Sequence, residues 1–115
     1  MRIGVVGVCG AGKSALVARL RGAGFDAHEI AQEHSYVPDM WQRIHPPDVL
    51  IYLEASFETI TQRRPNSLMT QTLYEQMLQR LRHAREHAGI VICQDHKGED
   101  ESFVEAASYL TLLRA

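Results

Sequence analysis

The chain has 115 residues, of which 45% are hydrophobic and 23% are charged, and its formal net charge at pH 7 is −2. This length predicts one domain, residues 1–115, and leaves no room for a two-domain enzyme. The near-neutral charge argues against nucleic acid as the main partner, and no apolar run is long enough to predict a membrane-spanning helix. Two cysteines, Cys9 and Cys93, are too few for a disulfide framework, which is typical of a reducing, cytoplasmic setting.

The chain begins with the pattern of a strand, a glycine-rich loop and a helix. Residues 2–6 are a short apolar run typical of a buried strand, and residues 15–20 are a helical run that ends near Gly22. Between them, residues 7–14 read GVCGAGKS and match G-x-x-x-x-G-K-[ST], the phosphate-binding loop. All eight positions and both flanks agree with this motif, which favours it over a chance glycine-rich turn.

The residue types of this loop suit a polyphosphate ligand. Glycines permit positive φ and close backbone approach, so that consecutive N–H groups can point at phosphate oxygens. Lys13 would bring a cation to the β- and γ-phosphates, the Ser14 hydroxyl would ligate Mg²⁺, and the helix that opens there adds its N-terminal dipole. The predicted nucleotide contacts in and beside the loop are Gly7, Cys9, Gly10, Ala11, Gly12, Lys13, Ser14 and Ala15.

The next segment predicts an edge strand and then a polar cluster. Residues 25–31 are only weakly apolar, as expected of a strand at the edge of a sheet. Residues 32–36 (QEHSY) fit either a hydrogen-bonded turn or a switch-like catalytic loop that faces the γ-phosphate. Residues 37–44 predict a short helix with Pro38 in its first turn, in which Trp41 either packs in the core or stacks on a base.

The second half of the chain alternates strand and helix patterns. Residues 49–53 (VLIYL) predict the clearest strand, and Ser56 can cap a helix that continues to Arg63. Residues 71–87 predict a long amphipathic helix, followed by a buried strand over residues 90–93 and a final helix around residues 103–110.

Four strands that alternate with helices predict an α/β fold. The expected architecture is a three-layer parallel sheet of about four strands, in the order 2-1-3-4, with helices on both faces. The strand order reverses direction between strands one and three, and ligands bind beyond the carboxyl ends of the strands at such a point. The phosphate-binding loop lies at this position.

Three segments of the chain together resemble the P-loop NTPases of the nucleoside and nucleotide kinase type. The phosphate-binding loop is the first. The second, residues 47–59 (PDVLIYLEASFET), resembles the kinase segment in which a P-D-hydrophobic strand ends in L-[DE] and an arginine-bearing helix follows. The third is the strand over residues 90–93 with the Gln94-Asp95 loop.

The resemblance implies Mg²⁺-ATP as the ligand and gives roles to further residues. Arg63 and Arg64 correspond to lid arginines that contact the ATP phosphates, and Asp95 lies in the loop that faces the adenine. The chain departs from the kinase pattern because it is short, has no evident Walker B or D-R-[YFW] strand between Ala31 and Val49, and has no room for a substrate subdomain. The resemblance therefore implies nucleotide binding more directly than phosphoryl transfer.

The missing acid is expected at the carboxyl end of a strand beside the first one. Glu33, just past strand two, is predicted as a water-mediated Mg²⁺ ligand or a base, with His34 as a proton relay. Glu54, at the end of strand three, is the second candidate, and Asp95 is expected to be too far away. The alternative for each of these acids is that it has no catalytic role and is simply a polar residue at the end of a strand.

Two further patterns bear on metal and base specificity. Residues 83–87 (HAREH) match H-x-x-E-H, the inverted zinc-protease motif, but they lie off the apolar stripe beside arginines and predict a solvated histidine pair. No loop carries N-K-x-D, the pattern of guanine-specific sites, which favours ATP over GTP.

These patterns support two functions. The first is a small kinase-like phosphotransferase or NTPase in which Lys13 and Arg63 or Arg64 stabilise the transferring phosphoryl group. The second is a non-catalytic nucleotide-binding module whose segment 32–36 senses the γ-phosphate and acts on a protein partner. The phosphoryl acceptor, the pathway and homo-oligomerisation stay open.

Overall fold

A computed structural model describes residues 1–43 and 45–114 of the chain. Four strands, β1 (Arg2–Gly7), β2 (Asp26–Glu29), β3 (Val49–Glu54) and β4 (Ile90–Cys93), form one parallel sheet in the order β2-β1-β3-β4. The predicted α/β class, the parallel sheet and its strand order are confirmed.

The helices of the described residues are α1 (Lys13–Gly22), α2 (Met40–Arg43), α3 (Phe57–Arg63), α4 (Gln71–His87) and α5 (Glu99–Arg114), with a 3₁₀ turn at Gln32–His34. Helices α1 and α5 pack against each other, and α4 packs against the 3₁₀ turn. Because parallel crossovers are right-handed, α1 and α4 lie on opposite faces of the sheet. None of these helices has both the length and the apolar character needed to cross a membrane.

The two central strands form the middle of the core. Strand β1 is buried from its second residue onward and β3 is buried up to Glu54, consistent with strands covered on both faces. Strand β2 has exposed residues at both ends and pairs only with β1, so the predicted edge position is correct. The phosphate-loop motif thus follows a central strand, beside a short edge strand.

Local caps fix the boundaries of the later helices. The Ser56 hydroxyl accepts a hydrogen bond from the Thr59 N–H at 3.1 Å, and the Thr70 hydroxyl accepts one from the Leu73 N–H at 3.1 Å. Both α4 and β4 have the predicted bounds.

Helix α2 is shorter than predicted. It begins at Met40, whose N–H bonds the Val37 carbonyl at 3.1 Å in a preceding turn, rather than at residue 37. Ile44, its predicted last residue, lies outside the described residues.

Candidate functional site

The loop that follows β1 depends on its glycines. Gly10 and Gly12 have φ values of 93° and 98°, in the left-handed region that favours glycine. A β-carbon at Gly12 would lie 3.1 Å from Gln94 Nε2, and one at Gly7 would lie 2.6 Å from the Leu53 carbonyl oxygen. Side chains at these positions would therefore either strain the backbone or displace a neighbour.

A cleft of about 720 Å³ opens beside this loop. Of the predicted nucleotide contacts, those that line it are Cys9, Gly10, Gly12, Lys13, Ser14 and Ala15. Gly7 and Ala11 are buried behind them. Glu33, Arg63 and Arg64 also line the cleft, so the fold brings most of the predicted site residues together.

The Lys13 ammonium is held by groups of the chain itself. Its Nζ donates to the Gly7 carbonyl at 2.9 Å, to the Val8 carbonyl at 3.1 Å and to Glu33 Oε2 at 2.5 Å. An ammonium has three N–H donors, so these partners saturate it. A phosphate oxygen could bind Lys13 only by replacing one of them.

Glu33 forms a buried ion pair with Lys13, and the two side chains are only 3% and 5% exposed. The second oxygen, Oε1, is buried and has no hydrogen-bond partner in the part of the chain that the structure describes. His34 Nε2 lies 4.0 Å from Oε2, beyond hydrogen-bond distance. Glu33 lines the cleft, and a buried carboxylate oxygen without a donor is costly, so Oε1 is an unsatisfied acceptor next to the cleft.

The 3₁₀ turn that carries Glu33 is fixed from both sides. The buried Gln32 amide donates to the Val37 carbonyl at 2.9 Å and to the Arg80 carbonyl at 3.2 Å, and it accepts from the Trp41 N–H at 2.8 Å. Arg80 Nη1 in turn donates to the Glu33 carbonyl at 3.2 Å. Of the two interpretations of residues 32–36, this geometry is that of a hydrogen-bonded turn.

Glu29 is a site residue that the sequence analysis missed. Its Oε2 accepts a hydrogen bond from the Ser14 hydroxyl at 2.8 Å, and its side chain lines the cleft. The predicted strand two continued to Ala31, so its end was placed two residues too late. The sequence feature that could have identified Glu29 is an acidic residue at the end of an edge strand. In the structure this residue is paired with Val5 of β1.

The two predicted arginines have different environments. Arg63 Nη2 donates to the carbonyls of Gln94 and Lys97, each at 3.0 Å, and so ties α3 to the segment between β4 and α5. Arg64 lines the cleft, and its guanidinium has neither a hydrogen bond nor an ion pair to the described residues. Arg63 therefore has an anchoring contact, whereas Arg64 keeps its donors for a ligand.

The segment after β4 differs from the prediction by one residue. Gln94 belongs to the same predicted adenine loop but was not singled out as a contact; it lines the cleft and is buried against residues 7–14. Its Nε2 donates to the Ala11 carbonyl at 2.9 Å, and its Oε1 accepts from the Ser102 hydroxyl. Asp95, the predicted nucleotide contact, does not line the cleft but faces the N-terminus of α3.

Asp95 acts as a cap in this position. Its Oδ1 accepts from the Ser56 N–H at 3.0 Å and from the Thr59 hydroxyl at 2.6 Å. The Ser56 bond above all, and then the Thr59 bond, lower the pKa of Asp95 below its ordinary value of 3.8. A lowered pKa in the folded state stabilises the fold above the unfolded pKa, and this contribution is lost as the pH falls through the folded pKa.

We expect Asp95→Asn to lower the free energy of unfolding by about 0.5–1 kcal/mol near neutral pH, because the helix start loses a negative charge but keeps an acceptor. The difference from wild type should shrink as the pH falls through the lowered pKa of Asp95, because wild type then loses the same negative charge. Urea unfolding over a series of pH values, from neutral into the acid range, measures this change. A difference that stays the same throughout the acid range would contradict this assignment.

Glu54 and the two helix histidines lie elsewhere. Glu54 pairs with Arg85 at 2.8 Å and does not line the cleft. The His83 and His87 rings stack at 4.2 Å, and His83 Nδ1 accepts from the Trp41 indole N–H at 3.0 Å. The prediction of a solvated pair is thus wrong for His83, because α4 packs this residue on Trp41, which is only 8% exposed.

Comparison with protein-family models, curated proteins and solved structures finds no match to this chain. The cleft around the N-terminus of α1 is lined by five cationic side chains and three carboxylates. The cations are Lys13, Arg19, Arg63, Arg64 and Lys97, and the carboxylates are Glu29, Glu33 and Glu99. No group of three or more potential metal-binding side chains (His, Cys, Asp or Glu) occurs among residues 1–43 and 45–114. This mixture of cations and carboxylates in the cleft suits an anion that brings its own divalent cation.

Proposed function

We propose that the protein is a P-loop protein that binds Mg²⁺-ATP in this cleft and acts as a small kinase-like phosphotransferase or NTPase. The observation that supports this most is the segment 7–14 at the carboxyl end of central strand β1, with positive φ at Gly10 and Gly12 and a helix that begins at Lys13. In this arrangement the backbone N–H groups of the loop and of the first helical turn would bind phosphate oxygens. Strand β1 also lies where the strand order reverses.

The cleft fits a magnesium ion that arrives with the nucleotide. The Ser14 hydroxyl would bind it, with Glu29 and Glu33 as carboxylates that act through water. The hydrogen-bonded oxygens of Ser14 and Glu29, and Glu33 Oε1, which has no partner among the described residues, are hard oxygen atoms of the kind that Mg²⁺ prefers. When bound, Mg²⁺ would neutralise charge on the phosphate oxygens.

The basic residues would have separate tasks in this proposal. Lys13 would exchange one of its internal partners for a phosphate oxygen. Arg64, without an internal partner among the described residues, would stabilise charge on the transferring phosphoryl group. Arg63, which binds two carbonyls, would position the segment from Gln94 to Lys97 beside the nucleotide.

A non-catalytic nucleotide-binding module is the second proposal, and the 3₁₀ turn favours it. Nucleotide binding at Lys13 would release Glu33, whose backbone is bonded to Arg80 on α4. A shift of this turn would therefore reach the surface of α4, where a protein partner could respond to it. ADP formation from Mg²⁺-ATP, measured with and without candidate acceptors, separates this module from an enzyme.

We expect Mg²⁺-ATP to raise the melting temperature, since a ligand that binds only the native state stabilises it by about 2.7 kcal/mol at 100 times its Kd. Ser14→Ala should lose most of this stabilisation because it removes the hydroxyl assigned to the metal. Ser108→Ala, an exposed serine on α5, is the matched control and should keep it. Thermal shift with ATP, ADP and GTP at millimolar concentrations makes the measurement.

Two results would argue against the proposal. No stabilisation of wild type by any Mg²⁺-nucleotide would overturn the function itself. A clearly larger shift with GTP than with ATP would overturn the choice of base.

A further inference from the structure

We propose that Glu33 makes the cleft select metal-bound nucleotide and reject metal-free nucleotide. This inference rests on the proposed function and concerns which form of the ligand the site accepts. It follows from the position of the Glu33 carboxylate, which bonds the same ammonium that a phosphate group would need.

Metal-free nucleotide meets an unfavourable exchange of partners at the Lys13–Glu33 pair, although cations outnumber carboxylates in the cleft as a whole. The Lys13–Glu33 pair is internally neutral, and both side chains are more than nine-tenths buried. A phosphate group that takes Lys13 would leave Glu33 as a buried carboxylate with its cation shared or lost, close to further negative charge. Removal of one partner from a buried ion pair is strongly unfavourable, because the remaining charge is uncompensated.

Metal-bound nucleotide changes that balance. A divalent cation lowers the charge of the phosphates and gives the Glu33 carboxylate a new positive neighbour. The Glu33 carboxylate, whose buried Oε1 has no hydrogen-bond partner among the described residues, would turn toward the cleft to meet the cation or one of its waters. One ion pair is then exchanged for another, and no buried charge is left alone.

Glu33 cannot avoid this conflict by a shift of its backbone alone. Its carbonyl accepts from Arg80 Nη1, and the neighbouring Gln32 side chain bonds Val37, Arg80 and Trp41. These contacts hold the 3₁₀ turn between α2 and α4. A shift of the turn would have to carry α4 with it, so in the enzyme proposal the negative charge stays beside the cleft when a ligand arrives.

Glu29 provides an internal comparison. It also lines the cleft, but it bonds Ser14 rather than Lys13, and it is exposed to solvent. Its loss should weaken metal binding without freeing the ammonium. Only Glu33 is expected to penalise metal-free nucleotide.

The test is isothermal titration with ATP in excess Mg²⁺ and with ATP in excess EDTA, on the full chain. Wild type should bind the metal complex at least about tenfold more tightly than metal-free ATP. Glu33→Gln should bind metal-free ATP at least about tenfold more tightly than wild type does, so that the preference for the metal complex shrinks by the same factor. Glu29→Gln should show no such gain, and Glu54→Gln is the control for loss of a carboxylate outside the cleft.

Each outcome decides the inference. An unchanged ratio of the two affinities in a folded Glu33→Gln variant, checked by circular dichroism, overturns it. Equal affinities in wild type overturn it without any variant, so it can be tested even if Glu33→Gln does not fold. If wild type binds neither form of ATP, the proposed function itself has failed, which is a different result from binding without selection.

Discussion

Lys13→Met is expected to lower the free energy of unfolding by about 3–5 kcal/mol, in the absence of any nucleotide. The substitution leaves the Glu33 carboxylate buried without its cation and removes the donor from the carbonyls of Gly7 and Val8. Small domains are stable by only about 5–15 kcal/mol, so this loss is a large part of the total. Urea unfolding followed by circular dichroism measures it.

A second substitution tests the cause of that loss. Glu33→Gln in the same chain should recover more than half of it, because a neutral amide replaces the uncompensated charge. Lys97→Met is the matched control, since the Lys97–Glu105 pair is more exposed and should contribute less than about 1 kcal/mol. If the loss of unfolding free energy in the double variant equals the sum of the losses in Lys13→Met and Glu33→Gln, the buried pair is not what stabilises this region.

The sheet and its order could be predicted because their signals are local and continuous. Strands β3 and β4 are uninterrupted β-branched or apolar runs, and the caps at Ser56 and Thr70 mark where the next helices begin. Strands that alternate with helices then leave few topologies, since crossovers have one hand. None of these steps requires a contact between distant residues.

The region around the 3₁₀ turn could not be predicted in the same way. Its geometry depends on Gln32, which bonds Arg80 nearly fifty residues later, and on Trp41, which packs against His83. Residues 32–36 alone are compatible with several turns, so the sequence left a turn and a switch as equal alternatives. The histidines looked solvated because helical periodicity does not show which neighbour covers a helix face.

The sequence predicted the cleft residues that belong to one contiguous motif. It predicted less well the cleft residues that are brought together only by the fold. The loop from Gly7 to Ser14 is contiguous, so most of its residues reach the cleft together, with Gly7 and Ala11 buried behind them. To predict which carboxylates face the cleft, the last residue of β2 must be known to within one residue. The predicted end was two residues too late, so Glu29 was not recognised as a site residue. Asp95 and Gln94 are adjacent but face opposite ways, because the start of α3 binds one and the phosphate-loop segment binds the other.

The two arginines at the end of α3 provide the sharpest test of catalysis. Arg64 lines the cleft and has no polar partner in the described chain, so in the proposed reaction its donors would be available to charge that develops on a transferring phosphoryl group. Arg63 uses one nitrogen for the carbonyls of Gln94 and Lys97. Loss of Arg64 should therefore affect turnover, whereas loss of Arg63 should affect the structure of the segment beside it.

We expect Arg64→Ala to lower the rate of ADP formation from Mg²⁺-ATP by about 10²–10³-fold, while the affinity for Mg²⁺-ATP changes less than about threefold. Arg63→Ala should instead lower the melting temperature and weaken nucleotide binding, since it frees two carbonyls near the cleft. Single-turnover ADP formation, titration calorimetry and thermal melts separate these effects. Equal turnover in Arg64→Ala and wild type would remove Arg64 from the mechanism. If wild type binds Mg²⁺-ATP but forms no ADP above the buffer rate, with or without acceptors, the non-catalytic module is the correct function, and the Lys13–Glu33 pair would then serve to sense the ligand.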